Sequence, residues 1–333
     1  MRVRSFLLLG AVTLLVSGAA VLSVVNREQP RSTIEAVGPV LPGLADHLGD
    51  VSAVVIRDAN GTLTIHRTEG GWGLAEYDNY PVKADKVREI ARALVQLEKA
   101  EAKTSSAEKW SQLSVEEPGT SGSTSKLISL RTAAGEPLAQ LIVGKAGTGA
   151  GAEGSTYVRI PGEPQAWLAR GSLPAGSGVS DWVDPNLVEI PVSDIKQVRV
   201  VHPDKSTVTV VREKDGMSFR LAELPAKAKL KRPDSLDDIV QAVTDVQMET
   251  LTPEASHEFP AKDAILVTVS RTDGPDIVFE VAEIKGERWL RFAEGRVPAG
   301  LPAAAQGMDF RVAGWKLAPL QQKVGELVEI PSG

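Results

Sequence analysis

The sequence predicts a strand-rich α+β protein in which two tandem repeats follow one N-terminal transmembrane helix. Three observations predict this fold class: an apolar run near the N-terminus, short runs of alternating apolar and polar residues after it, and a series of segments that occurs twice. Each predicted repeat consists of a hairpin, a helix and three strands, with the helix covering one face of the sheet.

The bulk composition is that of a globular protein and limits the possible chemistry. A chain of 333 residues with 42% hydrophobic residues can form one large domain or two ordinary ones. Its net charge of -6 is spread along the chain without a basic stripe, which argues against nucleic acid as a partner. The sequence has no cysteine, which excludes disulfides, thiolate nucleophiles, zinc ribbons, iron–sulfur clusters and the lipid-bearing cysteine of a bacterial lipoprotein.

The N-terminal segment, residues 1–25, has the length and charge pattern of a membrane anchor. Phe6 to Val25 form an apolar run, and twenty helical residues span about 30 Å, the thickness of a bilayer's hydrocarbon core. Arg2 and Arg4 precede the run, so the positive-inside rule places the C-terminal part outside the cytoplasm. We expect a single-pass protein of a bacterial inner membrane, with residues 6–25 in the lipid bilayer and a periplasmic module.

A cleaved signal peptide is the alternative for this segment. Its apolar stretch would run from Phe6 to about Val16, with the small residues Ser17 and Ala19 before the cut. The run continues to Val25, beyond the length that a cleaved signal needs, and this favours the anchor. The downstream chain is exported in both cases.

The first predicted repeat covers residues 51–180 and follows a tether, residues 26–50, that is rich in proline and glycine. Its hairpin turns at Asn60-Gly61, a strong hairpin signal between two alternating runs. An apolar stripe at helical spacing predicts the helix and consists of Val87, Ile90, Ala91, Leu94 and Leu97. Three strands are predicted at 127–130, 139–143 and 157–160.

The second predicted repeat covers residues 195–295 and follows a junction at 181–194. Its hairpin turns at Pro203-Asp204-Lys205, and its strands are predicted at 265–269, 277–281 and 289–292. The helix stripe has the same spacing as in the first repeat and consists of Leu236, Ile239, Val240, Val243 and Val246. Residues 296–333 form a C-terminal extension with a short amphipathic helix from Leu317 to Val328.

The patterns that could carry catalysis lack the context that catalysis needs. The glycine-rich run 144–151 leads into a strand, not a helix, and so is a hairpin connection instead of a phosphate-binding loop. Ser-x-x-Lys begins at Ser106, Ser123 and Ser193 without the companion motifs of acyltransferases. The histidines, at positions 47, 66, 202 and 257, lack metal-ligand spacing. We therefore assign no catalytic, cofactor-binding or metal-binding residue and expect a protein that is not an enzyme.

Six tryptophans stand out because only 5% of the residues are aromatic. The first interpretation is that they anchor the core or the sheet edges. The second is that some of them line a groove for a sugar or a partner protein. They are Trp72, Trp110, Trp167, Trp182, Trp289 and Trp315.

Several short motifs, in this order along the chain, resemble a bacterial family known only as domain of unknown function 4340. The motifs are Leu41-Pro42-Gly43-Leu44-Ala45-Asp46, Trp72-Gly73-Leu74, Tyr80-Pro81-Val82-Lys83-Ala84-Asp85-Lys86-Val87, Tyr157-Val158-Arg159, Trp182-Val183-Asp184-Pro185-Asn186-Leu187 and Trp315-Lys316-Leu317. The resemblance implies a single-anchor envelope protein with no assigned reaction. It also implies ABC transporter subunits of the gliding-motility auxiliary type as partners, because such proteins are often encoded beside them.

Three functions are compatible with these features. A non-catalytic accessory or scaffold subunit of an ABC-type transport system is the first expectation. An envelope module that binds glycan or lipid in an aromatic-lined cleft between the repeats is the alternative. A hydrolase with a dispersed site is the third, and no motif in its required context supports it.

Overall fold

The computed structural model describes most of the chain after the predicted tether. The described residues are 38–148, 154–174, 176–214, 216, 218–254, 258–260 and 262–329. The predicted anchor at 6–25 and the tether before Gly38 lie outside them. Within the described ranges, no helix has the length and apolar character needed to cross a membrane.

The first sheet contains nine antiparallel strands from the first half of the chain. They are β1 (Ala53–Asp58), β2 (Gly61–Thr68), β3 (Gly71–Leu74), β4 (Tyr80–Pro81), β5 (Glu98–Thr104), β6 (Lys126–Arg131), β7 (Pro137–Ala146), β8 (Ser155–Arg159) and β9 (Ala166–Arg170). Helix α1 (Ala84–Gln96) connects β4 to β5, and the short helix α2 (Trp110–Leu113) lies between β5 and β6. The order across the sheet is β4-β3-β2-β1-β6-β7-β8-β9-β5.

The second sheet also contains nine antiparallel strands. Two further strands from the second half of the chain, β14 and β20, form a separate two-stranded sheet. The strands are β10 (Asn186–Glu189), β11 (Ile195–Val201), β12 (Thr207–Arg212), β13 (Phe219–Leu221), β14 (Lys229–Leu230), β15 (Asp245–Pro253), β16 (Ile265–Arg271), β17 (Ile277–Ile284), β18 (Glu287–Phe292), β19 (Met308–Val312) and β20 (Val328–Glu329). The helices are α3 (Ser235–Gln241), α4 (Gly314–Leu317) and α5 (Val324–Leu327). The order across the large sheet is β10-β15-β19-β18-β17-β16-β11-β12-β13.

Eight strands have equivalent neighbours in the two large sheets. The order β3-β2-β1-β6-β7-β8-β9-β5 in the first corresponds, position by position, to β13-β12-β11-β16-β17-β18-β19-β15 in the second. Each sheet has one further edge strand, which is β4 beside β3 in the first and β10 beside β15 in the second. The strand-rich α+β class is therefore confirmed.

The core of the described residues continues from one sheet to the other. Helix α1 buries Val87, Ile90 and Leu94, the stripe that the sequence predicted. The Tyr80 ring from the first sheet makes an edge-on contact with the Phe310 ring of the second, with centroids 6.4 Å apart. Because complete burial of one large apolar side chain contributes about 1.5–3 kcal/mol, this shared cluster holds the two halves together.

The predicted second helix is too long by one turn or more. Helix α3 ends at Gln241, and Val246, assigned to its apolar stripe, lies on β15. Val243, Thr244 and Val246 are β-branched, and such residues favour strands over helices. Along β15 the buried residues Val246 and Met248 alternate with exposed ones, which is the period of a strand.

The predicted tail helix from Leu317 to Val328 is also wrong. Helix α4 ends at Leu317, a 3-10 turn covers Ala318–Gln321, and α5 begins only at Val324. Pro319 lies in that turn and lacks the N–H that a continuous helix would need there.

The sequence also missed strands that complete both sheets. β5 and β9 extend the first sheet, and β15 and β19 occupy the equivalent places in the second. β10 lies within the range assigned to the junction and β19 within the range assigned to the C-terminal extension. These strands are four to nine residues long. β5, β10 and β15 pair with segments far apart in sequence, so no local turn signal marks them. β9 follows β8 through the short connection 160–165 and was missed although its turn is local.

The glycine-rich run begins inside a strand. Gly144 lies on β7, and a Cβ atom there would be 2.2 Å from the Leu113 carbonyl oxygen and 2.8 Å from that of Ser114. Glycine is needed because the backbone after α2 crosses the strand at close range. β7 and β8 are antiparallel neighbours, the arrangement expected for a hairpin connection. Residues 149–153 lie outside the described ranges.

Candidate functional site

A cleft of about 620 Å³ lies where the two sheets meet. Four segments form its walls: Tyr80–Lys83 after the edge of the first sheet, residues 184–190 around β10, the β16–β17 connection with Arg271 and Ile277, and the loop 298–302 before β19. A volume of several hundred cubic ångströms at the junction of two folded units is typical of a binding site.

The first wall is fixed by the edge strand β4 and the start of α1. Tyr80 and Pro81 pair with Leu74 and Gly73 of β3, and the Val82 N–H donates to the Trp72 carbonyl at 2.8 Å. Pro81 can occupy this strand because it lies at the sheet edge, where its missing N–H costs no ladder bond. The exposed side chain of Lys83 follows directly before the first residue of α1.

Contacts between the two halves close the floor of the cleft. The Lys83 N–H donates to the Trp182 carbonyl at 3.0 Å, and the Lys83 Nζ lies 3.4 Å from Asp184 Oδ2. Both charged side chains are about half exposed, so the ion pair contributes at most about 1 kcal/mol. The backbone bond and the burial of Trp182, which is 1% exposed, fix the floor more firmly.

The second wall is the edge strand β10. Asn186 begins it with an N–H that donates to Asp184 Oδ1 at 3.2 Å, a turn-forming contact. On one side the strand pairs with β15, and the bond from the Ile190 N–H to the Thr244 carbonyl, 2.8 Å, continues that ladder. No other strand of the described chain pairs with β10, so its second edge is unpaired, and the residues of β10 line the cleft.

The lining is mostly apolar and carries charges of both signs. Lys83 and Asp184 form the ion pair at the floor, while Glu189 and Arg271 are the other charged residues of the lining. Arg271 is held in place because its Nε and Nη2 donate to the Pro275 carbonyl at 3.1 and 3.0 Å. The lining contains no histidine, serine or threonine. Such a surface offers shape, apolar contact and backbone hydrogen bonds for binding.

Tyr80 is the one aromatic residue of this lining. Burial, and secondarily the negative charge of Asp184, raise the pKa of the Tyr80 hydroxyl to about 12. The hydroxyl therefore stays protonated at neutral pH and cannot serve there as a base. The expected tryptophan lining is not found at this cleft.

The tryptophans lie elsewhere. Trp182 packs under the cleft floor and donates its Nε1–H to the Gly176 carbonyl at 2.9 Å, and Trp289 is also buried. Trp315 on α4 is 78% exposed. The remaining three are partly buried beneath cations, in the pairs Arg67–Trp72, Lys99–Trp167 and Arg159–Trp110. The five tryptophans other than Trp315 therefore serve as anchors in the core or at the sheet surface.

The three serines of the Ser-x-x-Lys pattern are scattered and bond within their own loops. The buried Ser123 hydroxyl lies 2.9 Å from that of Ser125. The Ser193 hydroxyl donates to Asp194 at 3.1 Å, and the Ser106 N–H donates to the Thr104 hydroxyl. None of the three serines lines the cleft.

The histidines are likewise separated. His47 lies 3.3 Å from Asp50, and His66 Nε2 lies 2.6 Å from Asn79 Oδ1. His257 is outside the described residues. In the part of the chain that the structure describes, no group of three or more histidine, aspartate or glutamate residues is arranged to hold a metal ion.

His202 is the buried histidine, and we predict that it makes stability depend on pH. It is 5% exposed, and its Nε2 has no hydrogen-bond partner. Burial lowers the pKa of His202, partly offset by a hydrogen bond to the Gln322 backbone. The unfolded chain, with a histidine pKa of about 6.5, then binds a proton more readily than the folded one. Stability is therefore complete above about pH 6.5 and falls as the pH drops below it.

The measurement is urea unfolding at pH 7.5 and 5.5. We expect the loss of stability at the lower pH to be smaller in His202→Gln than in the unmodified chain. His66→Gln, at a half-buried histidine on β2, is the control and should retain the full loss. An identical loss in all three proteins would contradict the prediction.

Two of the motifs noted in the sequence meet at the cleft floor. Tyr80-Pro81-Val82-Lys83 supplies one wall, and Trp182-Val183-Asp184-Pro185-Asn186-Leu187 supplies the floor contact and the start of the other. Nothing in the sequence indicates that Arg271 or the loop 298–302 belongs to this cleft. The Pro-Ala-Gly-Leu-Pro sequence of that loop indicates a turn, but nothing local shows which surface it faces.

Comparison with known protein families shows to which family this chain is related. A family model described as domain of unknown function (DUF4340) matches residues 72–264. The chain belongs to the DUF4340 family. The matched range includes both motifs at the cleft floor, whereas the DUF4340 match ends before Arg271 and the loop 298–302. Comparison with curated proteins gives no match, and comparison with solved structures gives none.

Proposed function

We propose that this DUF4340 protein is a non-catalytic accessory subunit that binds a partner protein in the cleft between its two sheets. The observation that carries the proposal is the cleft itself: a concave, mostly apolar site of about 620 Å³ with an open strand edge in its wall. Its lining offers binding contacts and contains no serine, threonine or histidine, the residues whose hydroxyl and imidazole groups nucleophilic catalysis commonly uses.

The same proposal includes an internal duplication. The equivalent order of eight strands in the two sheets supports it, together with the repeated series of hairpin, helix and strands in the sequence. A cleft between two related units is a usual place for a binding site. The two units differ at this junction because their additional edge strands are not equivalent: β4 lies beside β3 in the first sheet and β10 beside β15 in the second.

We further propose that residues 6–25 hold the module at the periplasmic face of the inner membrane. The support is the apolar run of twenty residues after Arg2 and Arg4. The measurement is the intact mass of the membrane-extracted protein, which should include the first 19 residues. A membrane-bound form that lacks them would contradict permanent anchoring.

The proposed partners are ABC transporter subunits, which the family resemblance implies. The glycan or lipid alternative has less support, because the cleft lacks the exposed tryptophan surface that this alternative expected.

A photo-crosslinking amino acid in the full-length membrane protein tests the proposal. Ala299 is exposed and lines the cleft, and Ala134, exposed in the β6–β7 turn, is the matched control position. We expect crosslinks to a transporter subunit from position 299 and none from position 134. Equal crosslinking from both positions, or none from position 299, would count against the cleft as the partner site.

A further inference from the structure

We propose that the partner enters the cleft as an extended polypeptide segment that pairs with β10 and adds one strand to the second sheet. The inference rests on the proposed function, since it takes the cleft as the binding site and names the chemistry of its occupant. Addition of a strand to an exposed sheet edge is an established mode of peptide recognition, in which backbone hydrogen bonds give affinity and side-chain pockets give specificity.

The open edge of β10 supplies the hydrogen-bonding groups. Val188 and Glu189 pair with Val246 and Asp245 of β15 on one side. The Ile190 N–H donates to the Thr244 carbonyl on that same side. Because successive N–H groups of a strand point in opposite directions, the Glu189 N–H points away from β15. Glu189 lines the cleft and is exposed, so this donor is available to a neighbouring chain.

The flanking residues limit the length of the added strand. Pro185 and Pro191 stand on either side of the segment 186–190 and have no N–H of their own. Five residues of extended chain cover about 17 Å. A short peptide segment therefore suits this edge, whereas a long strand would extend beyond the available donors.

The walls of the cleft suit the side chains of an extended peptide. Val82 and Ile277 contribute apolar surface on the sheet side, and Pro298 and Leu301 contribute it from the loop that faces β10. Side chains of a strand alternate between its two faces. Apolar residues at alternate positions of the partner could then contact both walls while its backbone pairs with β10.

The charges of the lining favour a polypeptide over an anionic headgroup. Lys83 is already paired with Asp184, and Arg271 shares the lining with Glu189. The lining thus carries two cations and two anions, which gives no net attraction for a phosphate or a polyanionic glycan. Polypeptide backbone requires no net charge, only alternating donors and acceptors.

Glu189→Pro and Glu189→Ala form a matched pair of test variants. Both remove the carboxylate, but only proline removes the N–H that points away from β15, and proline is tolerated on edge strands. The probe is a phage-displayed library of random dodecapeptides, selected against the full-length chain in detergent. Peptides that bind the unmodified chain should bind Glu189→Ala with a Kd within about twofold, whereas the Kd for Glu189→Pro should rise about tenfold, as expected for one lost hydrogen bond in a shaped site.

Amide hydrogen exchange of the unmodified chain gives a second readout that does not depend on how well a variant folds. A selected peptide should slow exchange at the Glu189 amide. Equal loss of binding in both variants, unchanged binding in both, or unchanged exchange at the Glu189 amide would overturn strand addition. So would a library that yields no binder.

The outcomes also separate this inference from the proposed function. A crosslink from position 299 without protection of the Glu189 amide would leave the partner site intact and reject the added strand. If position 299 gives no crosslink and amide exchange is not slowed, the cleft as partner site and the added strand are both rejected. If sedimentation shows that the unmodified chain is a dimer and Glu189→Pro a monomer, the occupant is a second copy of this chain, and the inference of a different partner is wrong.

Discussion

Arg159→Met should lower the free energy of unfolding by about 3 kcal/mol, because it removes the donors that tie the segment after α2 to the first sheet. Arg159 lies on β8 and is 1% exposed. Its Nε donates to the Val115 carbonyl at 2.8 Å and its Nη1 to the Glu163 carbonyl at 3.2 Å. The guanidinium also lies 3.8 Å from the centre of the Trp110 ring.

The physical reason is the set of groups that the substitution leaves behind. The carbonyl of the buried Val115 loses its donor, at a cost of about 1–3 kcal/mol, whereas Glu163 is exposed and its carbonyl can bind water instead. Methionine retains most of the apolar volume, so the effect reports on the hydrogen bonds and not on a cavity. Urea unfolding of the fragment that begins at Gly38 measures it.

Glu117→Gln is the control for Arg159. The Arg159 Nη2 donates to Glu117 Oε1 at 2.6 Å, but the Glu117 side chain is 55% exposed. Loss of its charge should cost less than about 1 kcal/mol, as for other solvent-exposed ion pairs. If the two variants lose equal stability, the ion pair and not the carbonyl contacts holds this segment, and our interpretation is wrong.

Asp309→Ala should lower the free energy of unfolding by about 3–5 kcal/mol, the cost of breaking a buried ion pair by removing one partner. Asp309 lies on β19 and is fully buried. It accepts two hydrogen bonds from Arg291 on β18, of 2.5 and 2.7 Å. The hydrogen bonds to Asp309 are also the main cause of the raised pKa of Arg291. The guanidinium remains charged when Asp309 is removed, because arginine is not deprotonated in proteins.

The position of the Asp309–Arg291 pair makes the loss large. The two residues face each other across the β18–β19 ladder, where the guanidinium also lies 4.4 Å from the centre of the Phe259 ring. Without Asp309, Arg291 keeps Glu254, 3.2 Å away, as a partner at the surface side. Glu254 is 40% exposed and compensates only in part because water screens its charge.

Glu287→Ala provides the comparison for Asp309. Glu287 accepts a hydrogen bond from Arg311 at 2.7 Å across the same pair of strands, but it is 48% exposed. Its removal should cost about 1 kcal/mol or less. Thermal unfolding of both variants measures the difference. A loss in Asp309→Ala no larger than in Glu287→Ala would show that burial adds nothing to this pair.

Local features were predictable where one segment carries its own signal. The first hairpin was predicted to within one residue: Asp58 pairs with Gly61, so the turn residues are Ala59 and Asn60, and the Asn60 N–H donates to Asp58 Oδ1 at 2.8 Å. Helix α1 buries three of its five predicted apolar positions, and Leu97, also buried, lies one residue beyond its end. Turn chemistry and helical periodicity act over a few residues, so they can be read without the rest of the fold.

The same periodicity failed at Val246. The spacing from Leu236 to Val246 fits a helix. Val246 nevertheless lies on β15, the strand between β10 and β19 in the second sheet. A helix and a strand can bury the same apolar residue, and the neighbours in the sheet decide between them. Those neighbours lie about 60 residues away in each direction.

By itself, the sequence determined the strand-rich α+β class, the family and the positions of the two hairpins. It also contained both motifs of the cleft floor, though not the fact that they meet there. Only the tertiary structure placed β10 at a sheet edge and brought Arg271 and the loop 298–302 to face it. The physical reason is distance along the chain: hairpins and helices arise from contacts between near neighbours, whereas a cleft arises from packing of segments that chain connectivity alone does not bring together.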